Sequence, residues 1–464
     1  MLLPDKLLRS LEGTKGFDKD AFEKVHASGE QITSIRINPL KLSVANRELP
    51  AGESSYDSSL TIHEKIPWTQ YGFYLTERPS FTFDPIFHAG CYYVQEASSM
   101  FLEQALQQTV DLSQPLKLLD LSAAPGGKST HIQSLISANS LLVSNDVIRS
   151  RANILKDNII KWGCENVVVT NNDPKDFGRL RNYFDVIVVD APCSGSGLIR
   201  KEPDAVNEWS ENNVALCSQR QHRILSDVFP SLKKDGVLIY STCSYSKEED
   251  EEIAEWMIRT LPVAYYPLFI DKSWNITESE RGYRFWPDKI KGEGFYIACF
   301  KKTEGEDDAD TRTKRKAETA TSKEMETVSK WMKIKHHHLV KNESTIYAWP
   351  EGLVNDMSFI LAKLKVIYSG VRIGELVRDK LIPDHALAMS RVLNDSTGSI
   401  AVNYQQAIQY LQKKDMQIDH AVMGWQLVKY EGHLLGWINV LPNRINNYYP
   451  KELRILKDIK SPPE

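Results

Sequence analysis

The sequence contains few cysteines and no long apolar run. Six cysteines occur in 464 residues, and none forms a Cys-x-x-Cys pair. This usage excludes a disulfide framework of the kind found in small secreted proteins, and it indicates no zinc site. No apolar run approaches the ~18 residues that cross a membrane. The first residues carry charges within an apolar pattern, so we expect no signal peptide. We therefore expect a cytoplasmic protein without a metal ion.

A strong net charge is also missing, since the total is −4. The charge is nevertheless unevenly distributed, because residues 331–464 hold 17 Lys and Arg against 13 Asp and Glu. Residues 1–330 are therefore acidic on balance. Chance scatter is one explanation of this difference. The other is that the C-terminal part meets a polyanion such as RNA.

Short apolar runs alternate with amphipathic segments through the middle of the chain. Helices are expected in the amphipathic segments, for example over Ser150–Trp162 and Leu216–Leu232. This alternation predicts an α/β fold, a doubly wound and mostly parallel sheet covered on both faces. The runs that predict its strands are Leu116–Ser122, Leu141–Asp146, Asn166–Asp173, Asp185–Pro192, Gly236–Ser244 and Gly294–Phe300.

The pattern predicts five segments along the chain. Residues 1–85 form a small N-terminal α+β domain, and residues 86–302 form the α/β domain. Residues 303–328 hold almost no large apolar side chain, which predicts a charged flexible linker. Globular patterning resumes beyond it, over 329–395 and 396–464.

The turn "SAAPGGKST", Ser122–Thr130, resembles the end of an ATP-binding loop. That loop requires Gly-x-x-x-x-Gly-Lys-Ser/Thr, and Ser122 occupies the place of its first glycine. Small residues followed by a helix also suit an adenosyl cofactor without phosphates, because they let the backbone approach a ligand. Asp146 ends the next strand, 20 residues beyond Gly126, where an acid can hold ribose hydroxyls. A tight turn with a helix-capping Asp146 is the alternative.

Two cysteines follow two of the predicted strands directly. Cys193 lies in "DAPCSGSG" and Cys243 in "YSTCSYSKEEDEE". A thiolate that adds to carbon 6 of cytosine makes carbon 5 nucleophilic toward a methyl group. A proton donor at N3 helps this addition, and a base must later remove the carbon 5 proton. Buried structural thiols and a redox pair are the alternatives. We expect the other cysteines to be small buried hydrophobic residues, namely Cys91, Cys164, Cys217 and Cys299.

Five motifs together resemble the RNA cytosine-5 methyltransferases of the Nop/Sun family. They are "LLDLSAAPGGKST", "VSNDVIRSR", "VVDAPCSGSG", "YSTCSYSKEEDE" and "RFWPDKIKGEGFYIACF", in an order and spacing that match along residues 86–302. The resemblance implies a Rossmann-like class I methyltransferase domain that uses S-adenosylmethionine. It implies that Cys243 is the nucleophile and that Cys193 helps to release the product. Asp190 would contact the cytosine N3 edge, and Lys128 would lie beside the reacting groups.

The same resemblance implies the residues of the cofactor pocket. This family often has a cysteine before the two alanines, where this chain has Ser122. A position that contacts the cofactor through its backbone should tolerate the change. Asp173 would reach the adenine amino group or, alternatively, only hold the turn before Pro174. The implied set is Ser122, Ala123, Ala124, Pro125, Gly126, Gly127, Lys128, Asp146, Arg151, Asp173 and Asp190.

The outer parts of the chain bear on the choice of RNA. Gly370–Ser390 and Gly432–Ile455 resemble bacterial RsmF-type methyltransferases, which act on small-subunit ribosomal RNA through a region that includes a PUA-like module. The resemblance therefore implies methylation of 16S rRNA within the small subunit. We expect a monomer, because nothing in the sequence suggests an obligate dimer. The same reaction on tRNA and a non-catalytic ribosome-assembly factor are the alternatives. We expect Trp437 in the core, and the predicted RNA contacts are Arg36, Asn38, Arg444 and Arg454.

Overall fold

The computed structural model describes residues 3–42, 62–305, 317–418 and 421–458, together with residues 311 and 313. Two helices come first, α1 (Asp5–Leu11) and α2 (Lys19–Ala27). The Asp18 side chain caps α2 by accepting from the backbone N–H of Ala21 at 3.1 Å. An antiparallel sheet follows, built from β1 (Ser34–Ile37), β2 (Ile62–Lys65), β3 (Gly72–Leu75) and β4 (Tyr92–Val94) in the order β2-β3-β1-β4. Since β4 lies beyond residue 85, this sheet extends past the predicted domain boundary.

Helices α3 (Pro85–His88) and α4 (Leu102–Thr109) lead to the central sheet. Its parallel strands run in the order β9-β8-β5-β6-β7, which confirms the predicted doubly wound α/β fold. The order reverses direction at β5, and ligands of such sheets bind beside that point at the carboxyl ends of the strands. The strands are β5 (Lys117–Asp120), β6 (Leu141–Asn145), β7 (Val167–Thr170), β8 (Phe184–Asp190) and β9 (Leu232–Thr242).

Both faces of this sheet are buried, as its near-continuous apolar strands require. In β8, Val186 and Val188 pack into one core cluster, whereas Ile187 and Val189 pack into another. The covering helices are α5 (Gly127–Leu135), α6 (Arg149–Trp162), α7 (Ala205–Glu208), α8 (Glu211–Val228) and α9 (Glu251–Thr260).

Antiparallel strands extend the sheet beyond β9. They are β10 (Val263–Tyr265), β11 (Thr277–Glu278), β12 (Tyr283–Phe285) and β13 (Phe295–Lys302). Strand β13 pairs with β9, and its other edge pairs with β12 at one end and β10 at the other. The "FYIACF" run therefore forms a strand, as its apolar character predicts.

The predicted linker over residues 303–328 is too long. Residues 306–310, 312 and 314–316 lie outside the described residues, but β14 (Glu318–Thr319) and α10 (Ser322–Ser329) are ordered elements. The Thr321 and Glu324 side chains form a capping box that begins α10, and Val328 is fully buried. Composition alone misses this helix because it has no continuous apolar face. A capping box and one buried valine are the features that mark it.

A second antiparallel sheet follows, in the order β14-β15-β16-β18-β19. Between β16 and β18 the chain forms α11 and then β17, which pairs antiparallel with β7 at the edge of the central sheet. The segment after residue 328 therefore contributes a strand to the α/β domain. The elements are β15 (His337–Asn342), β16 (Thr345–Pro350), α11 (Val354–Lys363), β17 (Val366–Ser369), β18 (Val371–Val377) and β19 (Lys380–Pro383).

The last part of the chain carries a four-stranded sheet in the order β20-β21-β22-β23. Trp437 lies in its core with no exposed surface, which confirms the expectation for that residue. The elements are α12 (His385–Met389), β20 (Ser399–Ala401), α13 (Tyr404–Leu411), β21 (Gly424–Tyr430), β22 (His433–Leu441) and β23 (Arg444–Asn447).

Candidate active site

The predicted site residues meet at one edge of the central sheet. Strands β5 to β9 are parallel, so their carboxyl ends share that edge. Asp120 and Asp190 end β5 and β8, and Asp146 follows β6. Cys193 and Cys243 follow β8 and β9 within three residues. The arrangement follows directly from the strand order.

The turn between β5 and α5 is held by its neighbours. Its Gly126 adopts a φ of +118°, which a side chain would strain. The Arg151 guanidinium donates to the Ala124 carbonyl at 2.8 Å, and the Asn158 amide donates to the Pro125 carbonyl at 2.8 Å. These bonds fix the backbone that begins α5 beside the crevice. The remaining turn residues of the predicted pocket lie in the same loop and first helical turn, namely Ser122, Ala123, Gly127 and Lys128.

Asp120, the last residue of β5, is a polar group that was not among the predicted site residues. Its carboxylate is fully buried, and its Oδ2 accepts from Ser129 Oγ at 2.6 Å. Its Oδ1 is buried and has no partner within the described chain. Burial raises the pKa of Asp120 to about 7. A buried oxygen without a partner is an acceptor that a ligand can satisfy. The signal in the sequence is an acid that ends an apolar strand, "LLD".

Asp146 lies at the next strand end. It is 2% exposed, its Oδ1 accepts from the Ile148 N–H at 2.8 Å, and its Oδ2 is 3.7 Å from Arg151 Nε. The bond to Ile148 holds the turn before α6, so the local structural role is present. Val147 follows directly and is 56% exposed, which leaves an apolar surface beside the carboxylate.

Asp173 holds the turn before Pro174, which was the alternative to a contact with adenine. Its side chain caps the helical turn Pro174–Arg179 by accepting from the Lys175 N–H at 3.2 Å. Its Oδ2 is 3.5 Å from Arg223 Nη1. A contact between Asp173 and adenine stays a prediction.

The two cysteines form a close pair. Their sulfurs are 3.1 Å apart and only partly buried. The hydrogen bond to Cys243, together with burial, raises the pKa of Cys193 well above its ordinary value. Either sulfur can donate in this contact, and the raised pKa favours Cys193 as the one that keeps its proton. A donated hydrogen bond stabilises a thiolate at Cys243.

An ion pair lies beside the sulfurs. Lys128 Nζ is 2.7 Å from Asp190 Oδ2, and Asp190 Oδ1 accepts from Ser241 Oγ at 2.7 Å. Burial lowers the pKa of Lys128, but the charges of Asp190 and Asp120 outweigh it, so the net direction is upward. Lys128 is therefore a cation in this site. The residues predicted to act together on cytosine are thus neighbours.

One buried carboxylate joins both cysteine loops, and the sequence analysis missed it. Glu249 Oε2 accepts from Ser194 Oγ at 2.5 Å and from Ser244 Oγ at 2.6 Å. Its Oε1 accepts from the Ser194 N–H at 2.8 Å. Glu249 lies in the acidic run "KEEDEE", which is typical of an exposed surface, yet it has no exposed area. The available signal was that a serine follows each cysteine.

The structure corrects the prediction that Arg36 and Asn38 bind RNA. Both side chains have no exposed surface. Arg36 donates to Gln95 Oε1 at 2.9 Å and to the Thr130 hydroxyl at 2.5 Å, so it holds the first turns of α5. Asn38 donates to the Gly90 and Trp162 carbonyls at 2.9 and 3.0 Å. The motif was recognised, but spacing cannot tell a buried arginine from one that faces a polyanion.

Arg444 is exposed and Arg454 is half-buried, so both stay predicted RNA contacts. Within the described ranges, no helix is both long and apolar enough to cross a membrane. In the same part of the chain no three His, Cys, Asp or Glu side chains are grouped to hold a metal ion. The four cysteines expected to be buried hydrophobic residues are buried, which confirms that expectation for Cys91, Cys164, Cys217 and Cys299.

Several solved structures share this architecture. A methyltransferase homologue protein from Pyrococcus horikoshii is 26% identical, with a TM-score of 0.51, and the match covers 65% of this chain and 100% of that one. NSun6 from Pyrococcus horikoshii, solved with SFG, has a TM-score of 0.52 at 20% identity, over 65% and 99% of the two chains. The second likeness shows a shared fold.

Sequence comparison extends the likeness to the whole chain. Family models match over residues 3–97 (N-terminal domain of 16S rRNA methyltransferase RsmF), 107–301 (16S rRNA methyltransferase RsmB/F) and 397–455 (methyltransferase RsmF PUA domain). The ribosomal RNA small subunit methyltransferase F of Aliivibrio fischeri is 28% identical over 98% of both chains. The protein of the same name from Shewanella woodyi is 31% identical over 90% of both. The resemblance stated from the motifs is confirmed, and the chain belongs to the family of ribosomal RNA small subunit methyltransferase F.

Proposed function

We propose that this protein transfers a methyl group from S-adenosylmethionine to carbon 5 of a cytosine in 16S rRNA, through a covalent bond between Cys243 and carbon 6. The observation that carries the proposal is the thiol pair at 3.1 Å beside the Lys128–Asp190 ion pair. The names of the full-length relatives support the small-subunit RNA as substrate.

The residues at the carboxyl ends of β5 and β6 fit the cofactor. S-adenosylmethionine supplies an activated methyl group on a positively charged sulfur. The unpartnered Oδ1 of Asp120 can accept from the cofactor's ammonium group, and the Asp146 carboxylate can accept from ribose hydroxyls. The exposed Val147 offers an apolar face to adenine. Asp120 and Val147 thus extend the set of cofactor residues that the motifs implied.

We give each polar group of the site a role in the first chemical step. Cys243 attacks carbon 6 as a thiolate, stabilised by the Cys193 S–H and by the charge of Lys128. Asp190 contacts the N3 edge, and a proton held between Asp190 and Lys128 at 2.7 Å is in place to neutralise N3 as electron density moves onto the ring. Carbon 5 then takes the methyl group. The target nucleotide must lie outside any base stack for this approach.

Release of the product needs a base, and the thiol pair explains how one arises. The pKa of Cys193 is high because of its hydrogen bond to Cys243 and because of burial. Once Cys243 is a thioether, the neighbouring anion is gone and Cys193 loses its proton to solvent more easily. The Cys193 thiolate removes the carbon 5 proton, the ring double bond re-forms, the N3 proton returns to the Lys128–Asp190 pair, and Cys243 leaves as a thiolate. The net products are 5-methylcytosine, S-adenosylhomocysteine and one proton.

The substrate is proposed to be 16S rRNA within the small ribosomal subunit, bound by a monomer in the cytoplasm. Arg444 and Arg454 on the C-terminal module contribute phosphate contacts. The partly exposed Trp425 lies against Tyr448, with ring centroids 4.4 Å apart, which offers a surface for an unpaired base.

A methyl-transfer assay tests the proposal. The purified protein is given labelled S-adenosylmethionine with unmodified small subunits, with naked 16S rRNA or with tRNA, and the labelled nucleotide is identified. We expect 5-methylcytosine in the small subunit and none with Cys243→Ala, while Cys164→Ala, a buried cysteine just after α6 and away from the cysteine pair, retains activity. Label in tRNA alone contradicts the substrate. RNA binding without transfer to any of the three supports the assembly-factor alternative.

A further inference from the structure

The C-terminal part of the chain is joined to the cofactor half of the central sheet by more than a strand pair. The segment Lys365–Gly370 runs along β7, with Val366 opposite Thr170 and Ser369 opposite Val168. Backbone bonds continue the ladder at both ends. The Asn171 N–H donates to the Lys365 carbonyl at 3.0 Å, and the Gly370 N–H donates to the Val167 carbonyl at 2.9 Å.

Asn172 links this segment to the turn that begins the cofactor pocket. Its side chain accepts from the Lys365 N–H at 3.0 Å and donates to the Lys365 carbonyl at 3.2 Å. Its backbone N–H donates to Asn145 Oδ1 at 2.9 Å, and its carbonyl accepts from Asn145 Nδ2 at 3.0 Å. The same Asn145 amide donates to the Leu121 carbonyl at 3.1 Å, one residue before the turn "SAAPGG".

Asn171 links the same segment to the second cofactor strand. Its Nδ2 donates to the Asp146 carbonyl at 2.9 Å and to the Val147 carbonyl at 3.0 Å. Its Oδ1 accepts from Lys365 Nζ at 3.2 Å. The backbone that presents the proposed ribose and adenine contacts is therefore held by a side chain that the C-terminal segment also holds.

We infer that Asn171 and Asn172 are positioning residues that make Lys365–Gly370 part of the S-adenosylmethionine site. They touch neither the reacting atoms nor, by this inference, the cofactor, but they fix the loops that do. The identity of the ligand rests on the proposed function. The inference goes beyond it by giving a segment outside the catalytic domain a role in cofactor affinity.

The expected effect is on binding rather than on chemistry. Removing either side-chain amide leaves buried or half-buried backbone groups without a partner and loosens Asp146 or Leu121. We expect the Kd for S-adenosylmethionine to rise about tenfold, because this change corresponds to the net contribution of about one hydrogen bond. The rate at saturating cofactor should change little, because the cysteine pair follows β8 and β9, on the other side of β5.

Calorimetric titration of the full-length protein with S-adenosylmethionine tests the inference without any RNA. The variants are Asn171→Ala and Asn172→Ala. The matched control is Asn166→Ala, which removes an equally buried amide that donates to the Ser137 and Ser140 carbonyls at the opposite end of β7. We expect these two variants, called the bridge variants, to weaken S-adenosylmethionine binding about tenfold. The control should change it by no more than about twofold. Thermal unfolding identifies a variant that has simply failed to fold, and Asn171→Ala, at the less buried position, then carries the test.

The outcomes distinguish a failure of the proposed function from a failure of this inference. A wild-type protein that binds no S-adenosylmethionine contradicts the proposed function and, with it, this inference. Tight binding by the wild type and by both bridge variants overturns the inference alone. An equal loss in the Asn166→Ala control also overturns it, because the effect would then report general stability.

Discussion

The two halves of the site at the strand ends are built differently. On the side of β8 and β9, polar side chains satisfy one another, since Glu249 binds both serines that follow the cysteines and Lys128 binds Asp190. On the side of β5 and β6, the carboxylates of Asp120 and Asp146 keep capacity to accept, and one Asp120 oxygen has no partner. A half that performs covalent chemistry needs its groups fixed in advance. A half that binds a cationic ligand needs acceptors that the ligand completes.

Removing the nucleophile should give the largest effect on the chemical half. We expect Cys243→Ala to lower kcat on the order of 10⁴-fold or more, because no other group forms the bond to carbon 6. Its Kd for S-adenosylmethionine should stay close to that of the wild type, since Cys243 lies outside the cofactor half. Single-turnover methyl transfer and calorimetry measure the two quantities. Turnover within tenfold of the wild type removes Cys243 from the mechanism.

Loosening the cysteine loops should give the next largest effect. Glu249→Gln keeps the size of the side chain but replaces one carboxylate oxygen by an NH₂ group, which cannot accept from the serine hydroxyls. We expect kcat to fall about 10²-fold, because small displacements of reacting groups cost this much, while the KM for the cofactor changes little. The control is Glu248→Gln, an exposed neighbour in the same acidic run. A change in cofactor KM with kcat intact would contradict the division between the two halves.

The converse substitution tests the cofactor half. Asp146→Asn removes a carboxylate charge beside the proposed ribose site, and we expect the Kd for S-adenosylmethionine to rise about tenfold with a smaller change in kcat. Asp185→Asn is the control, because Asp185 accepts from the Lys117 N–H at the opposite end of the sheet. Equal Kd values for Asp146→Asn and the wild type count against Asp146 as a ligand.

The smallest expected effect is the pH dependence of stability that comes from Asp120. Burial raises its folded-state pKa to about 7, above the unfolded value. The folded chain therefore binds this proton more tightly, so stability is lost as the pH rises from about 4 to 7. We expect Asp120→Asn to remove this part of the decline. Between pH 5 and pH 8 the Tm of the wild type should fall by about 5 °C more than the Tm of the variant. Parallel pH profiles of Tm would mean that Asp120 is ionised at little cost.

The sequence predicts the sheet and the closeness of the two cysteines for a physical reason. Apolar runs of strand length define β5 to β9, and in a parallel sheet every residue that follows such a run reaches the same edge. The strand pattern therefore predicts from the sequence alone that Cys193 and Cys243 lie close together. The family resemblance added their roles, which spacing alone left open.

Long-range polar contacts were not predictable in the same way. In the sequence, Glu249 is typical of an exposed residue, Arg36 of an RNA contact, and Asn171 and Asn172 of the end of a strand. Each is defined by partners distant in the sequence, such as Ser194, Thr130 or Lys365. Composition carries no information about such partners, and it also missed α10 within the predicted linker.

The most direct test of the two-thiol account is the RNA that remains attached to Cys193→Ala. The variant is expressed in bacterial cells and purified under denaturing conditions, and the bound RNA is sequenced. The account predicts a covalent adduct at a single cytosine of small-subunit rRNA, absent from Cys243→Ala and from the double variant. If Cys193→Ala methylates its substrate and carries no adduct, the proposed division of labour between the two cysteines is contradicted.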